Sequence, residues 1–321
     1  MLMRHNLYTA FRMIVCMWLY LFCVLSCAGC TRESPTPLHV GTNVWPGYEP
    51  LYLASSLGYL KDSSVRLHEM SNSSDVLKAF RNRTIDVAAL TIDEALLLIQ
   101  DNIDARIVLV ADISNGADVI IARPPINNIS TLKGKRVGVE SLALGAYVLT
   151  RALDKAELTP NDVTIVPLAA QEHEKAFSEG KIDAVVTFEP AKTKLLALGG
   201  RCIFDSTQIP YEIIDVIVVR AETLTTKSNQ LKELEDGWFK AQAYLHINAA
   251  DATRRMAKRE GITPAEFSEA LKGLIIPDQN ENRRLLSGTL LTPVKRLADV
   301  MLHGKLLSKP VDPARLIKIS R

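Results

Sequence analysis

Cysteine is nearly missing from the body of this chain. Five occur in 321 residues, and four of them, Cys16, Cys23, Cys27 and Cys30, fall in or just after an apolar amino-terminal run; only Cys202 lies beyond. One cysteine excludes a disulfide framework. An excess of charge is missing too. Lys plus Arg number 38 and Asp plus Glu 36, and without Arg4 and Arg12 in the amino-terminal segment 36 face 36. A neutral body offers no field for nucleic acid and no polybasic patch for lipid headgroups. The six histidines, at 5, 39, 68, 173, 246 and 303, have no metal-like spacing. His173, between Glu172 and Glu174 at a helix start, reads as an exposed surface residue. No Gly-x-Ser-x-Gly elbow and no phosphate loop occurs, so no cofactor, metal or catalytic group is expected. Low-complexity tracts and long charge runs are absent, and little disorder is expected.

What is present begins with an export signal. Arg4 and Arg12 precede an apolar run over residues 13–25, followed by small residues up to Cys30. A run of about 13 residues is short for a membrane span of roughly 20 and suits the core of a secretory signal. Ala28-Gly29-Cys30 resembles a bacterial lipobox, with residues 1–29 as signal peptide and Cys30 as the lipidated mature terminus. Cys27 stands where that pattern usually has Leu, and Val24-Leu25-Ser26-Cys27 is a second register. Residues 30–37 are polar and Pro-containing and read as a short tether.

The body repeats itself at an offset of 97 residues. Phe80-Arg81-Asn82-Arg83-Thr84-Ile85-Asp86-Val87 returns as Phe177-Ser178-Glu179-Gly180-Lys181-Ile182-Asp183-Ala184, and Val40-Gly41 returns as Val137-Gly138. Each octet reads as a helix end, a turn and a buried strand, so the echo predicts two similar α/β lobes. Nearly half the residues are hydrophobic, enough for more than one core. Strand and helix patterns alternate: strands over 38–42, 65–70, 85–90 and 106–111, with helices over 49–59, 75–82 and 92–100 between them. A second series follows, with strands over 136–140, 163–166, 182–187 and 201–204. Alternation of this kind predicts doubly wound parallel sheets with crossover helices. The run 213–219, Ile-Ile-Asp-Val-Ile-Val-Val, reads as the strand that returns from lobe two. Residues 38–118 and 218–321 are assigned to lobe one and 119–217 to lobe two, joined by a two-stranded hinge. The part from Glu222 is helical, and its stripe Leu231, Leu234, Trp238, Ala241 and Leu245 should pack on lobe one.

Residues 40–54, Val-Gly-Thr-Asn-Val-Trp-Pro-Gly-Tyr-Glu-Pro-Leu-Tyr-Leu-Ala, closely resemble the start of the mature sulfonate, taurine and nitrate solute-binding proteins of ABC importers, a group that also holds binders of the thiamine pyrimidine precursor. Residues 80–89, Leu132-Lys133-Gly134-Lys135-Arg136-Val137-Gly138-Val139-Glu140 and Thr187-Phe188-Glu189-Pro190 fit the same pattern in the same order. The resemblance implies a type II periplasmic-binding fold that closes on a small solute without chemistry. The implied partners are an ABC permease and ATPase, and a membrane reached through the lipid anchor, with the chain a monomer. A ligand sensor that presents its closed form to a membrane receptor uses the same closure. Pyrimidine synthases of the yeast type resemble this fold as well, but carry a Cys-rich motif that this body lacks.

In open α/β lobes, ligands sit beyond the carboxyl ends of the strands. Those ends carry Asn43, Trp45, Tyr48, Ser73, Ser74, Thr91 and Asp93 in lobe one, and Asn115, Asp118, Glu140, Ser141, Phe188 and Glu189 at the hinge and in lobe two. Helix termini and hydroxyls there can hold a sulfonate, carboxylate or nitrate. Four carboxylates and no Lys or Arg instead suit an amine, an amidine or an aminopyrimidine, with Trp45 and Tyr48 against its ring. A carboxylate at a helix start is often only a cap, the role expected of Asp75 and Asp93.

Overall fold

The computed structural model describes Met13, Met17, residues 36–140 and residues 143–317. Apart from Met13 and Met17 the signal lies outside the described residues, as do Cys30 and Ser141. Contacts divide the chain into Met1–Thr36 and Pro37–Arg321, and both sheets belong to the second unit. Among the described residues no helix is long and apolar enough to cross a membrane.

Two sheets carry the fold. The first has six strands in the order β11-β4-β10-β3-β1-β2: β1 Leu38–Asn43, β2 Val65–Met70, β3 Val87–Thr91, β4 Ala105–Ser114, β10 Ile214–Arg220 and β11 Leu274–Ile275. The second has five in the order β7-β6-β8-β5-β9: β5 Val119–Ala122, β6 Arg136–Val139, β7 Thr164–Pro167, β8 Ala184–Thr187 and β9 Arg201–Asp205. β1 runs parallel to β2 and β3, and β6 to β7 and β8. The parallel core of each lobe therefore agrees with the alternation in the sequence, and β3 and β8 are the strands that the repeated octets announce.

One strand lies elsewhere than expected. The run read as the return from lobe two is a full member of the first sheet, with β10 antiparallel to both β3 and β4. The return is made earlier, between Asp205 and Ile214. All seven residues of β10 are buried, because it lies between two neighbours with helices on both faces. Ser114 N donates to the Ile213 carbonyl at 3.0 Å, Ser206 N to the Asp118 carbonyl at 2.9 Å, and the Ser114 and Ser206 hydroxyls meet at 2.7 Å. These bonds fasten the two crossings side by side.

The helical remainder covers the first sheet. Leu234, Trp238 and Ala241 of helix Ser228–Ile247 are buried in a cluster with Leu51, Leu109 and Ile217, as their spacing predicts, with Leu231 and Leu245 at its margin. Thr263 opens helix Pro264–Lys272 with a capping box, its hydroxyl accepting from Glu266 N at 3.2 Å.

Candidate functional site

The carboxyl ends of β1, β3, β6 and β8 converge on one small cavity. Asn43, Trp45, Tyr48, Ser73 and Thr91 line it from the first sheet's side, and Glu140, Leu144 and Phe188 from the second's. Asp118 enters from the crossing between β4 and β5, and Glu94 and Asp215 complete the wall. The volume is about 30 Å³, room for a water or two and not for an organic solute. Trp45 meets Phe188 edge-on at 5.6 Å between ring centroids, and Gln171 Nε2 donates to the Ser71 carbonyl. The lobes are thus in contact in front of the cavity, and admitting a solute requires them to part.

The Trp-Pro-Gly-Tyr loop builds one wall. Pro46 starts a single 3₁₀ turn, Trp45 Nε1 donates to Asp112 Oδ2 at 3.0 Å, and Tyr48 Oη donates to Asp215 Oδ1. Gly47 lies directly under the first of these bonds. A Cβ at this position would come within 1.8 Å of Asp112 Oδ2, so only glycine lets the indole and the carboxyl meet there.

Among the expected residues that do not line the cavity, Ser74 sits in the first turn of helix Ser73–Arg81, half-buried. Asn115 is exposed and gives its backbone N–H to the Gly273 carbonyl. Glu189 is buried beside its own helix start, where Oε2 accepts from Thr193 N at 3.2 Å. Asp93 is corrected as a cap. Glu94 takes that role, with Oε2 accepting from Thr91 N at 3.1 Å, while Asp93 is buried with one oxygen unpartnered. Asp75 stands in the first turn of its helix and its N–H is capped by Asn72.

Two other expectations are corrected. His173 is not exposed: it is fully buried, its Nδ1 lies 3.1 Å from Thr187 Oγ1, and Nε2 has no partner. With Ala176 and Phe177 it marks the inner face of helix His173–Ser178, an i, i+3, i+4 signal the sequence contained. Burial drives its pKa down to about 4, leaving it neutral. A cation does stand near the strand ends: Lys192 Nζ lies 3.2 Å from the Gly116 carbonyl and 3.7 Å from Glu189 Oε1.

Burial dominates the electrostatics. It lifts Asp118 to about 6 against the pull of Ser114 and Lys192. It lifts Asp112 to about 7 although Trp45 donates to it. Burial, then the nearby Glu94, brings Glu140 to about 7 and Asp93 to about 8. Asp215 is raised by burial and by Asp112, its partner across the sheet. Thr91 Oγ1, Asp112 Oδ1 and Asp118 Oδ2 are buried and unpartnered. Glu94, Asp112 and Asp215 are absent from the residues expected from sequence; Asp215 stands one step and Glu94 and Asp112 two steps inside a helix or strand rather than at its end.

A larger depression of about 690 Å³ lies on lobe one between β4, helix Ser228–Ile247 and helix Gln279–Arg284. It meets β4 at Arg106–Leu109, the strand's amino-terminal half, and two of its rim charges pair with neighbouring carboxylates, Lys232 with Asp236 and Arg106 with Asp104. The convergent acceptors are in the cleft, which is the candidate site.

Residues 31–260 match the profile of the NMT1-like family. The putative aliphatic sulfonates-binding protein of Escherichia coli strain K12 is 24% identical over 207 residues, a match spanning 61% of this chain and 61% of that relative's length. The alkanesulfonate-binding protein SsuA from Xanthomonas axonopodis pv. citri, solved bound to MOPS, superposes with a TM-score of 0.73 at 19% identity, covering 88% of this chain and 98% of that one. The desulfurization enzyme DSZB superposes at 0.65 with 17% identity, covering 87% and 95%. At these identities the solved structures establish the shared two-lobed fold.

Proposed function

The chain belongs to the NMT1-like family, and from that premise we propose that it is the extracytoplasmic solute-binding component of an ABC importer. It captures one small organic solute between its lobes and hands it, unchanged, to a permease and its ATPase. The observation that carries this is the cavity itself: it is walled by both sheets, shut by Trp45 against Phe188, and too small to fill without opening. Two crossings fastened by Ser114 and Ser206 suit a hinge. The sulfonate-binding relative supports a binding role.

DSZB brings catalysis into view as a rival on the same fold. This chain's only cysteine among the described residues, Cys202, sits in β9, where its Sγ donates to the Phe204 carbonyl, and it does not line the cavity. We read the protein as a binder.

Lipid anchoring at Cys30, or at Cys27 in the other register, completes the proposal. Mass spectrometry of protein from its native envelope should find an acylated amino-terminal cysteine; an unmodified mature terminus downstream of Cys30 removes the anchor. For the binding role, thermal denaturation should shift upward with solute concentration, and small-angle scattering should show a smaller radius with saturating solute. Conversion of the solute during titration would favour the enzyme instead.

A further inference from the structure

Resting on the cleft as a solute site, we propose that the solute is a small organic cation, an ammonium or amidinium on a flat or short apolar body. Its charge is taken by Asp118, Glu94, Asp215 and Glu140, and its body lies between Trp45 and Phe188.

The four carboxylates come from four separate segments: the helix after β3, the crossing between β4 and β5, β10 and the end of β6. All four line one cavity. Among the described residues no Lys or Arg lines it. Lys192 is engaged with Glu189 and the Gly116 carbonyl, and Arg259 is held by Glu49 and Glu69. The hydrogen-bond balance points the same way. Thr91 Oγ1 and Asp118 Oδ2 are buried at the cavity without a partner, while Tyr48 Oη and Trp45 Nε1 are already spent on Asp215 and Asp112. Asp118 Oδ2 is thus a buried acceptor left without a donor, and an ammonium or amidinium supplies several N–H groups. Burial raises Asp118, Glu140 and Asp215 above the usual carboxylate range, with Glu94 adding to Glu140 and Asp112 to Asp215, and at Asp118 it outweighs the pull of Lys192.

A bare metal ion fits less well. Among the described residues no three His, Cys, Asp or Glu side chains are grouped to hold one, and the wall includes Trp45, Phe188 and Leu144. Aromatic faces and an apolar side chain suit a cation that carries carbon. An anion would meet like charges at short range in a low-dielectric site. It could be accepted only if the carboxyls took up protons and became donors.

That alternative gives the test, because the two readings have opposite proton linkage. A cation favours the ionised carboxylates and expels protons; an anion favours the protonated forms and draws protons in. Ammonium, amidinium and sulfonate ions on matched methyl, butyl and benzyl bodies would be titrated into the purified protein by calorimetry, in phosphate and in Tris, at about pH 7. At least one ammonium or amidinium should bind with proton release, weaken about tenfold or more from about pH 8 to about pH 5.5, and weaken about tenfold or more in Asp118→Asn. Glu140→Gln serves as a second variant should Asp118→Asn not fold. If a sulfonate binds with proton uptake and survives both substitutions, the cation assignment falls while the solute site stands. If none of the ions raises the melting temperature or contracts the protein in scattering, both fall.

Discussion

Glu212 and Asp118 are both acidic, both belong to the crossings between the lobes, and both are less than a tenth exposed. Their carboxyl groups are nevertheless driven in opposite directions. Around Glu212 four donors from three side chains converge: Tyr147 Oη at 2.6 Å, Arg151 Nε at 2.7 Å and Nη2 at 3.2 Å, and Arg296 Nη2 at 2.8 Å. Burial alone would raise Glu212, but these bonds overrule it and hold the carboxyl at about 2. Asp118 has one oxygen with no partner and stands at about 6. Burial sets the cost of ionisation in each case, and the count of donors decides which way the group goes. The clasp at Glu212, which joins helix Ala143–Lys155 to helix Leu291–His303, is electrostatically complete. The cleft a few residues along the chain is not.

The broadest way to break the comparison is to follow stability with pH. A carboxyl raised on folding gives its full stability below its unfolded value near 4 and loses it as the pH climbs through the folded value. For Asp118, Glu140, Asp112 and Asp93, at about 6, 7, 7 and 8, that loss runs from about pH 4 to pH 8. Glu212 has the other sign: its contribution is present above about 4.5 and disappears as the pH falls towards 2. Without solute the protein should therefore be most stable near pH 4 to 5. It should lose about 3 kcal/mol or more by pH 8, roughly 5–10 °C in melting temperature. A melting temperature that stays flat or rises from pH 5 to pH 8 would mean that the cleft carboxyls are satisfied in solution.

Next in size is Glu212→Ala. It strands the Tyr147 hydroxyl and two guanidinium groups, of which Arg296 is largely exposed and can turn to water. The expected cost is ~2–3 kcal/mol in urea unfolding at neutral pH, with an unchanged m-value. A loss below about 0.5 kcal/mol would show that the clasp contributes nothing.

Asp118→Asn should carry the opposite sign. Removing an ionised carboxyl with one buried oxygen unpartnered should stabilise the solute-free protein by ~1–2 kcal/mol at about pH 8. The gain should fall away by about pH 4, where Asp118 is protonated in the folded protein and about half protonated in the unfolded chain, and vanish below it. Stabilisation that persists unchanged at pH 4 would trace the effect to packing rather than charge.

How far this contrast can be read in advance differs between the fold and the cleft. The alternation over 38–111 and the echo at 97 residues are local patterns, and they yield both parallel cores. The run Ile-Ile-Asp-Val-Ile-Val-Val says buried strand but cannot say which sheet, because insertion between β3 and β4 is a long-range event. The cleft follows the same division. Trp45, Thr91, Glu140 and Phe188 stand at strand ends, where position suffices to find them. Asp112 and Asp215 sit within apolar strand runs, and a register shift beside Asp215 sets them opposite one another. Such a bulge re-aims side chains without a signature in the hydrophobic pattern. Glu94 is legible as a cap after Thr91, yet its second role on the cavity wall depends on helix placement. The donors of the clasp, 61 to 84 residues from Glu212 in sequence, leave no trace in spacing at all.

The smallest effect concerns the point where the lobes touch in front of the uncompensated cleft. Trp45 and Phe188 form an edge-to-face pair from opposite lobes, and such pairs contribute about 0.5–1.5 kcal/mol beyond the area they bury. Trp45 is also held by Asp112 through its indole N–H, so truncating it to Ala changes two interactions at once. Trp45→Phe removes that bond yet keeps a ring, whereas Phe188→Leu keeps the bulk but loses the aromatic edge. A cycle of Trp45→Leu, Phe188→Leu and their combination isolates the ring pair, with Trp45→Phe as the control for the lost bond to Asp112. Measured on solute affinity, it should return a coupling of ~0.5–1 kcal/mol, because the contact exists only when the lobes are closed. Measured on solute-free unfolding, the coupling should be smaller, in proportion to the fraction of molecules that close unaided. Equal coupling in both measurements would mean the lobes rest shut without solute. In that case the repulsion among Glu94, Asp118, Glu140 and Asp215 is too weak to hold the cleft open.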